Sequence, residues 1–94
     1  MKQAYVFLEI DFQTVKIYDP REDEVRIKGI DEWAKPDDGT RPDLKGRALH
    51  YYLREGFEPF CKPTIHKTFG ETYYLRKLVL LSEEDEEVAY KPGL

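Results

Sequence analysis

The sequence predicts an α+β fold in which a four- or five-stranded antiparallel sheet carries a single helix packed on one face. Three observations predict it. Apolar residues alternate with polar ones from Val6 to Phe12, the period of a half-buried strand, and Thr72 to Leu81 is a long run rich in Tyr, Leu and Val. Two short β-branched runs flank a proline-containing turn. The stretch 43–55 sets its apolar residues at helical spacing. The expected order is strand, hairpin, helix and two strands, β-β-(β)-α-β-β, with residues 1–81 as one domain and a frayed acidic tail over 82–94.

In the first strand, Val6, Leu8, Ile10 and Phe12 share one face, and Phe7, Glu9 and Asp11 the other. The apolar phase changes parity at Val15 and Ile17. A bulge or tight turn near Asp11 to Thr14 must rotate the chain by one residue, leaving either one long bent strand or two short ones. Strands 14–18 and 24–28 then flank Asp19-Pro-Arg-Glu-Asp, where Pro20 presets a turn dihedral and Asp19 caps the turn with its side chain. Residues 30–41 hold three Asp, a Glu, Pro36 and Gly39 with no sustained period and read as a loop, from which Trp33 folds back onto the core edge.

Thr40 or Asp43 caps the helix, Pro42 is tolerated in a first turn, and Gly56 stands where a left-handed C-terminal cap belongs. Leu44, Ala48, Leu49, Tyr52 and Leu53 form its apolar stripe, with Lys45, Arg47, His50 and Arg54 largely off it. Gly46 weakens the helix by about 1 kcal/mol relative to Ala unless it permits a close approach. Phe57 to Ile65 contains two prolines and is expected as an edge or broken strand, with Cys61 as a small core filler. Thr68-Phe-Gly-Glu is a turn into the last strand.

Ninety-four residues suit one domain, and 40% hydrophobic with 14% aromatic residues is enough apolar material to offset the entropy of ordering the chain. A single cysteine precludes an internal disulfide and a thiolate cluster, which points to a cytoplasmic setting. No basic-then-apolar leader and no run of about 18 apolar residues is present, so no membrane partner is expected. The net charge of −4 is uneven. Residues 41–77 carry +4 and the remainder −8, giving a basic middle between acidic ends.

At the helix-to-strand junction, Leu53-Arg-Glu-Gly-Phe-Glu-Pro-Phe resembles the junction of small bacterial domains of unknown function, in which a helix ends in Glu-Gly-Trp-Glu and a tyrosine-rich strand follows. The resemblance spans Leu44 to Leu81, with Phe57 in place of the tryptophan. It implies the helix-then-strand arrangement and, that family having no established chemistry, no activity.

No residue set matches a catalytic, metal or cofactor signature. Cys61 with His50 and His66 is the conceivable thiol set, yet spacings of 11 and 5 match no standard ligand pattern, and a tight metal site would want a fourth group. Asp37-Asp38-Gly39 lacks the further acids of a calcium loop and reads as a turn. Glu9 and Asp11 share a strand face beside Tyr5 and Phe7 and read as ordinary surface. Phosphate-cradling glycine loops and nucleophile elbows are absent from the sequence.

What stands above background is an aromatic and basic group: Tyr51, Tyr52, Tyr73 and Tyr74 beside Arg47, Arg54, Lys67, Arg76 and Lys77. If Tyr73, Leu75, Val79 and Leu81 point inward, Tyr74 and Arg76 point outward. The expected function is therefore a non-enzymatic binding module without a cofactor, contacting a protein partner or a second copy of itself. Its expected contact residues are Tyr74, Arg76, Tyr51, Arg47, Arg54, Lys67 and Trp33. The alternative is single-stranded nucleic-acid binding through the basic, tyrosine-rich segment 41–77.

Overall fold

A computed structural model describes residues 2–40 and 42–82. The fold is α+β, one helix on an antiparallel sheet. In chain order the elements are β1 (Lys2–Ile10), β2 (Thr14–Tyr18), β3 (Arg26–Gly29), a 3-10 turn (Ile30–Trp33), α1 (Leu44–Arg54), β4 (Glu58–Pro59), β5 (Thr64–His66) and β6 (Gly70–Leu81). The sheet runs β3-β2-β1-β6-β4, and β5 pairs with the start of β6. The expected tail beyond Ser82 lies outside the described residues.

The parity change in the first strand is a hairpin turn. Ile10 pairs with Val15 across it, so the even-numbered apolar residues of β1 and the odd-numbered ones of β2 meet on one face. Asp11 holds the turn, its carboxylate accepting the backbone N–H of Gln13 at 2.8 Å and of Thr14 at 2.7 Å. The next turn follows the same chemistry: Asp19 accepts the backbone N–H of Arg21 at 2.9 Å and the Arg21 guanidinium at 2.9 and 2.8 Å. Held foremost by the Arg21 side chain, its carboxyl lies below the ordinary range. β3 begins two residues later than the sequence pattern predicts, leaving Glu24 and Val25 in the turn.

Val6, Leu8, Ile10, Val15, Ile17 and Leu75 form the sheet side of the core, and Ala48 and Tyr52 close it from α1. Trp33 folds back as expected, half-buried against that cluster, with ring centroids 6.0 Å from Tyr51 and 5.9 Å from Tyr52. Asp43 caps α1, accepting the Gly46 N–H at 2.9 Å. At the other end Gly56 takes φ +97°, its N–H reaching Leu53 and that of Phe57 reaching Tyr52, the paired bonds of a Schellman termination. The Phe57 ring then seats 5.5 Å from Tyr52.

Two expectations are corrected. Leu53 belongs to the apolar stripe by spacing but is exposed, because the helix is short and rests only its Ala48–Tyr52 ridge on the sheet. Cys61 is exposed rather than a core filler, since Pro59 ends β4 and the chain leaves the sheet before it. As expected, the proline-rich segment is a broken edge, forming two short strands on β6: β4 completes a five-stranded path and β5 pairs with β6 off it.

Candidate functional site

With one helix on one face, the register decides what the other face displays. Phe7 lies between Tyr18 on β2 and Arg76 on β6, and Tyr5 is opposite Leu78, Gln3 opposite Leu80, Glu9 opposite Tyr74. These residues alternate with the buried ones and therefore stand on the sheet face away from α1. Tyr74 and Arg76 point outward, as their parity predicts, while Tyr73, Leu75, Val79 and Leu81 take the helix side.

Arg76 organises the centre of this face. Its guanidinium lies 4.5 Å from the Tyr5 ring centroid and 5.5 Å from that of Phe60, and its Nε donates to Glu58 Oε1 at 3.3 Å. Phe60 meets Phe7 edge-on at 5.4 Å, and Phe7 meets Tyr5 at 6.0 Å. A planar cation over ring faces is an attractive arrangement that also fixes the rings. Around it Phe7, Phe60, Leu78 and Leu80 are 40%, 41%, 47% and 57% exposed, an apolar patch on the sheet. Beside the patch Tyr5, Phe7 and Tyr18 floor a groove of about 330 Å³ whose lip is the acidic run Glu22-Asp23-Glu24.

Tyr74 is tethered rather than free. Its hydroxyl lies 3.0 Å from Thr64 Oγ1, linking β5 to β6. Tyr73 on the other side donates to Glu71 Oε2 at 2.8 Å, and this bond, more than burial, pushes its hydroxyl pKa up.

The remaining expected contact residues lie elsewhere. Trp33, Arg47, Tyr51 and Arg54 surround an open depression of about 570 Å³ between the 3-10 turn and α1. Arg47 is committed to structure there, donating to both carboxylate oxygens of Asp38 and to the Trp33 carbonyl. Lys67 sits in the β5–β6 turn. The basic middle segment is thus divided between the two sides of the sheet and one end of it. His66 serves the same turn, Nδ1 accepting the N–H groups of Thr68 and Phe69. Among the described residues no group of three or more His, Cys, Asp and Glu comes together as a metal site.

Tyr5, Phe7 and Phe60 were absent from the expected contact set. Their signal was present in the first strand, where two aromatics occupy the phase that otherwise carries Glu9; the contribution of Phe60 depends on β4 lying beside β6 and has no local signal.

No helix among the described residues is long and apolar enough to cross a membrane. Compared with known proteins, the chain matches no family model, no curated protein and no solved structure.

Proposed function

We propose that the protein is a non-enzymatic interaction module that binds a protein partner through the sheet face opposite α1. The observation that carries this reading is Arg76 stacked on Tyr5 and Phe60 within a patch of half-exposed Phe7, Leu78 and Leu80. Arginine and aromatic residues dominate binding energetics when a partner excludes water from them. Here the network already orders them, so little side-chain freedom is lost on association. The acidic lip Glu22-Asp23-Glu24 favours a partner whose apolar contact surface is bordered by Lys or Arg.

Photo-crosslinking in the native cell tests the reading, with the crosslinking residue placed at Leu80 on the patch or at His50 on α1. Adducts to a discrete protein from position 80, absent from position 50 and lost on Phe7→Ser, are expected. Equal labelling from both positions, or labelling from position 80 that survives Phe7→Ser, overturns it. Light scattering of the purified chain identifies the case in which the adduct is a second copy.

The depression lined by Trp33, Tyr51 and Arg54 favours a second reading, single-stranded nucleic-acid binding, because a ring beside a guanidinium is what stacks a base and holds its phosphate. Fluorescence polarisation with a labelled oligonucleotide at about 50 mM salt tests it. A signal that falls with salt and with Trp33→Ala is expected, and no signal disposes of it.

A further inference from the structure

On the helix side of the sheet, the end of α1 and strands β2, β3 and β6 enclose a cleft of about 300 Å³. Four cations line it, Arg21, Arg26, Lys28 and Lys77, against two carboxylates, Asp19 and Glu55, in a chain whose net charge is −4. Arg26 and Lys28 are paired with Ile17 and Val15, which places both on the core side of β3. Asp19 is neutralised by Arg21 at 2.8 Å. Lys28 makes no ion pair among the described residues, and Lys77 Nζ donates to the Glu55 carbonyl, a neutral acceptor. The cleft is therefore a basic concavity in an acidic protein.

A second observation points to a ligand. Tyr52 lines this cleft and is 6% exposed, yet its hydroxyl has no hydrogen-bond partner among the described residues. A buried hydroxyl without a partner is an exception in folded proteins and calls for a physical reason. Burial is the main cause that pushes its pKa up, reinforced by Tyr51, Glu32 and Glu55 and opposed by the positive charge of Arg26. Arg26 pairs with Glu22 at 2.8 Å across an exposed surface and its charge also acts on Asp19, so exchanging Glu22 for another anion costs little.

We propose that this cleft binds a small organic anion, an aromatic or alkyl group bearing a carboxylate or phosphate. Its acid oxygens sit between Arg26 and Lys28 and accept the Tyr52 hydroxyl, and its apolar part lies against Tyr51 and Phe57. The volume lies at the small end of ligand sites and exceeds what an inorganic ion fills. The site is on the side of the sheet away from the Arg76 patch and adjoins the other face only at the 19–22 turn, so substitutions at Arg76 or Leu80 test one face and substitutions at Tyr52 or Lys28 the other.

The test is titration of the protein, followed by amide and tyrosine-ring NMR shifts, with phenylacetate, phenyl phosphate, inorganic phosphate and neutral 2-phenylethanol. Saturable shifts at Lys28, Tyr52 and Phe57 with one or both organic anions are expected, weaker with inorganic phosphate and absent with the alcohol. The two organic anions separate a carboxylate site from a phosphate site. Tyr52→Phe, which keeps the ring, weakens binding about tenfold without lowering the melting temperature, and Lys28→Gln weakens it several-fold. Arg76→Ala leaves it unchanged. The proposal is overturned by no saturable shift at about 10 mM ligand, by equal binding of the alcohol, or by Tyr52→Phe binding as tightly as the parent.

Discussion

Arg47 of α1 grips Asp38 of the preceding loop with both terminal guanidinium nitrogens, and the same side chain holds the carbonyl of Trp33. One helical residue thereby ties down the loop that seats the tryptophan. Chiefly through these hydrogen bonds, helped by the Lys35 N–H, the Asp38 carboxyl is lowered from an ordinary 3.8 to about 2.

A folded-state value below the unfolded one means that Asp38 stabilises the protein above about pH 4 and that this contribution fades as the pH falls towards 2. Asp19, lowered by Arg21, fades in the same direction. Melting temperatures followed from neutral pH downward should fall through this window. Asp38→Asn should be less stable than the parent at neutral pH and converge on it at about pH 2. Parallel curves over the whole range would show that the pair does not couple to folding.

The two sheet faces should differ sharply in cost. Leu8 and Leu75 are opposite each other and each is 1% exposed, so Leu8→Ala should lose about 2–5 kcal/mol in urea denaturation. Leu80→Ser on the open face should change stability by no more than about 0.5 kcal/mol. A large loss at Leu80 would mean that the face is covered in the isolated protein.

Gly56 stands where another side chain would strain the backbone, since φ is +97° and the cap places Phe57 on Tyr52. Gly56→Ala should cost about 1–2 kcal/mol. Gly56→Asn, better tolerated in this region, should recover part of that loss.

Gly46 shows why a helix accepts a poor helix former. A Cβ there would collide with the carboxylate of Asp43, whose Oδ1 accepts the Gly46 N–H. Gly46→Ala alone should therefore gain little, its propensity advantage offset by the disrupted cap, whereas on an Asp43→Ala background the same change should stabilise by up to about 1 kcal/mol. A thermodynamic cycle of the four proteins measures the coupling. Additive effects would mean that the cap tolerates the added methyl.

The last strand was legible because its side chains alternate without interruption, which fixes the outward direction of Tyr74 and Arg76 before any contact is known. The helix was legible because Asp43 and Gly56 act through bonds to their own chain neighbours. Cys61 and Leu53 were misread for a common reason: spacing tells which residues share a face, and not how far the opposing surface extends. Tyr74 looked like a free contact residue until β5 brought Thr64 to its hydroxyl.

By itself, then, the sequence determined what local periodicity and short-range hydrogen bonding determine: an antiparallel sheet, one capped helix, and the side of the last strand that holds the core. Tertiary structure alone decided that Phe60 would complete the Arg76 stack and that Tyr52 would be buried beside Arg26 and Lys28 with no hydrogen-bond partner among the described residues. These relationships join residues 16 to 71 positions apart and form only when the strands take their places in the sheet. The physical reason is that stacking, burial and electrostatic fields act through space, while a pattern read along the chain reports only the geometry of the chain's own backbone.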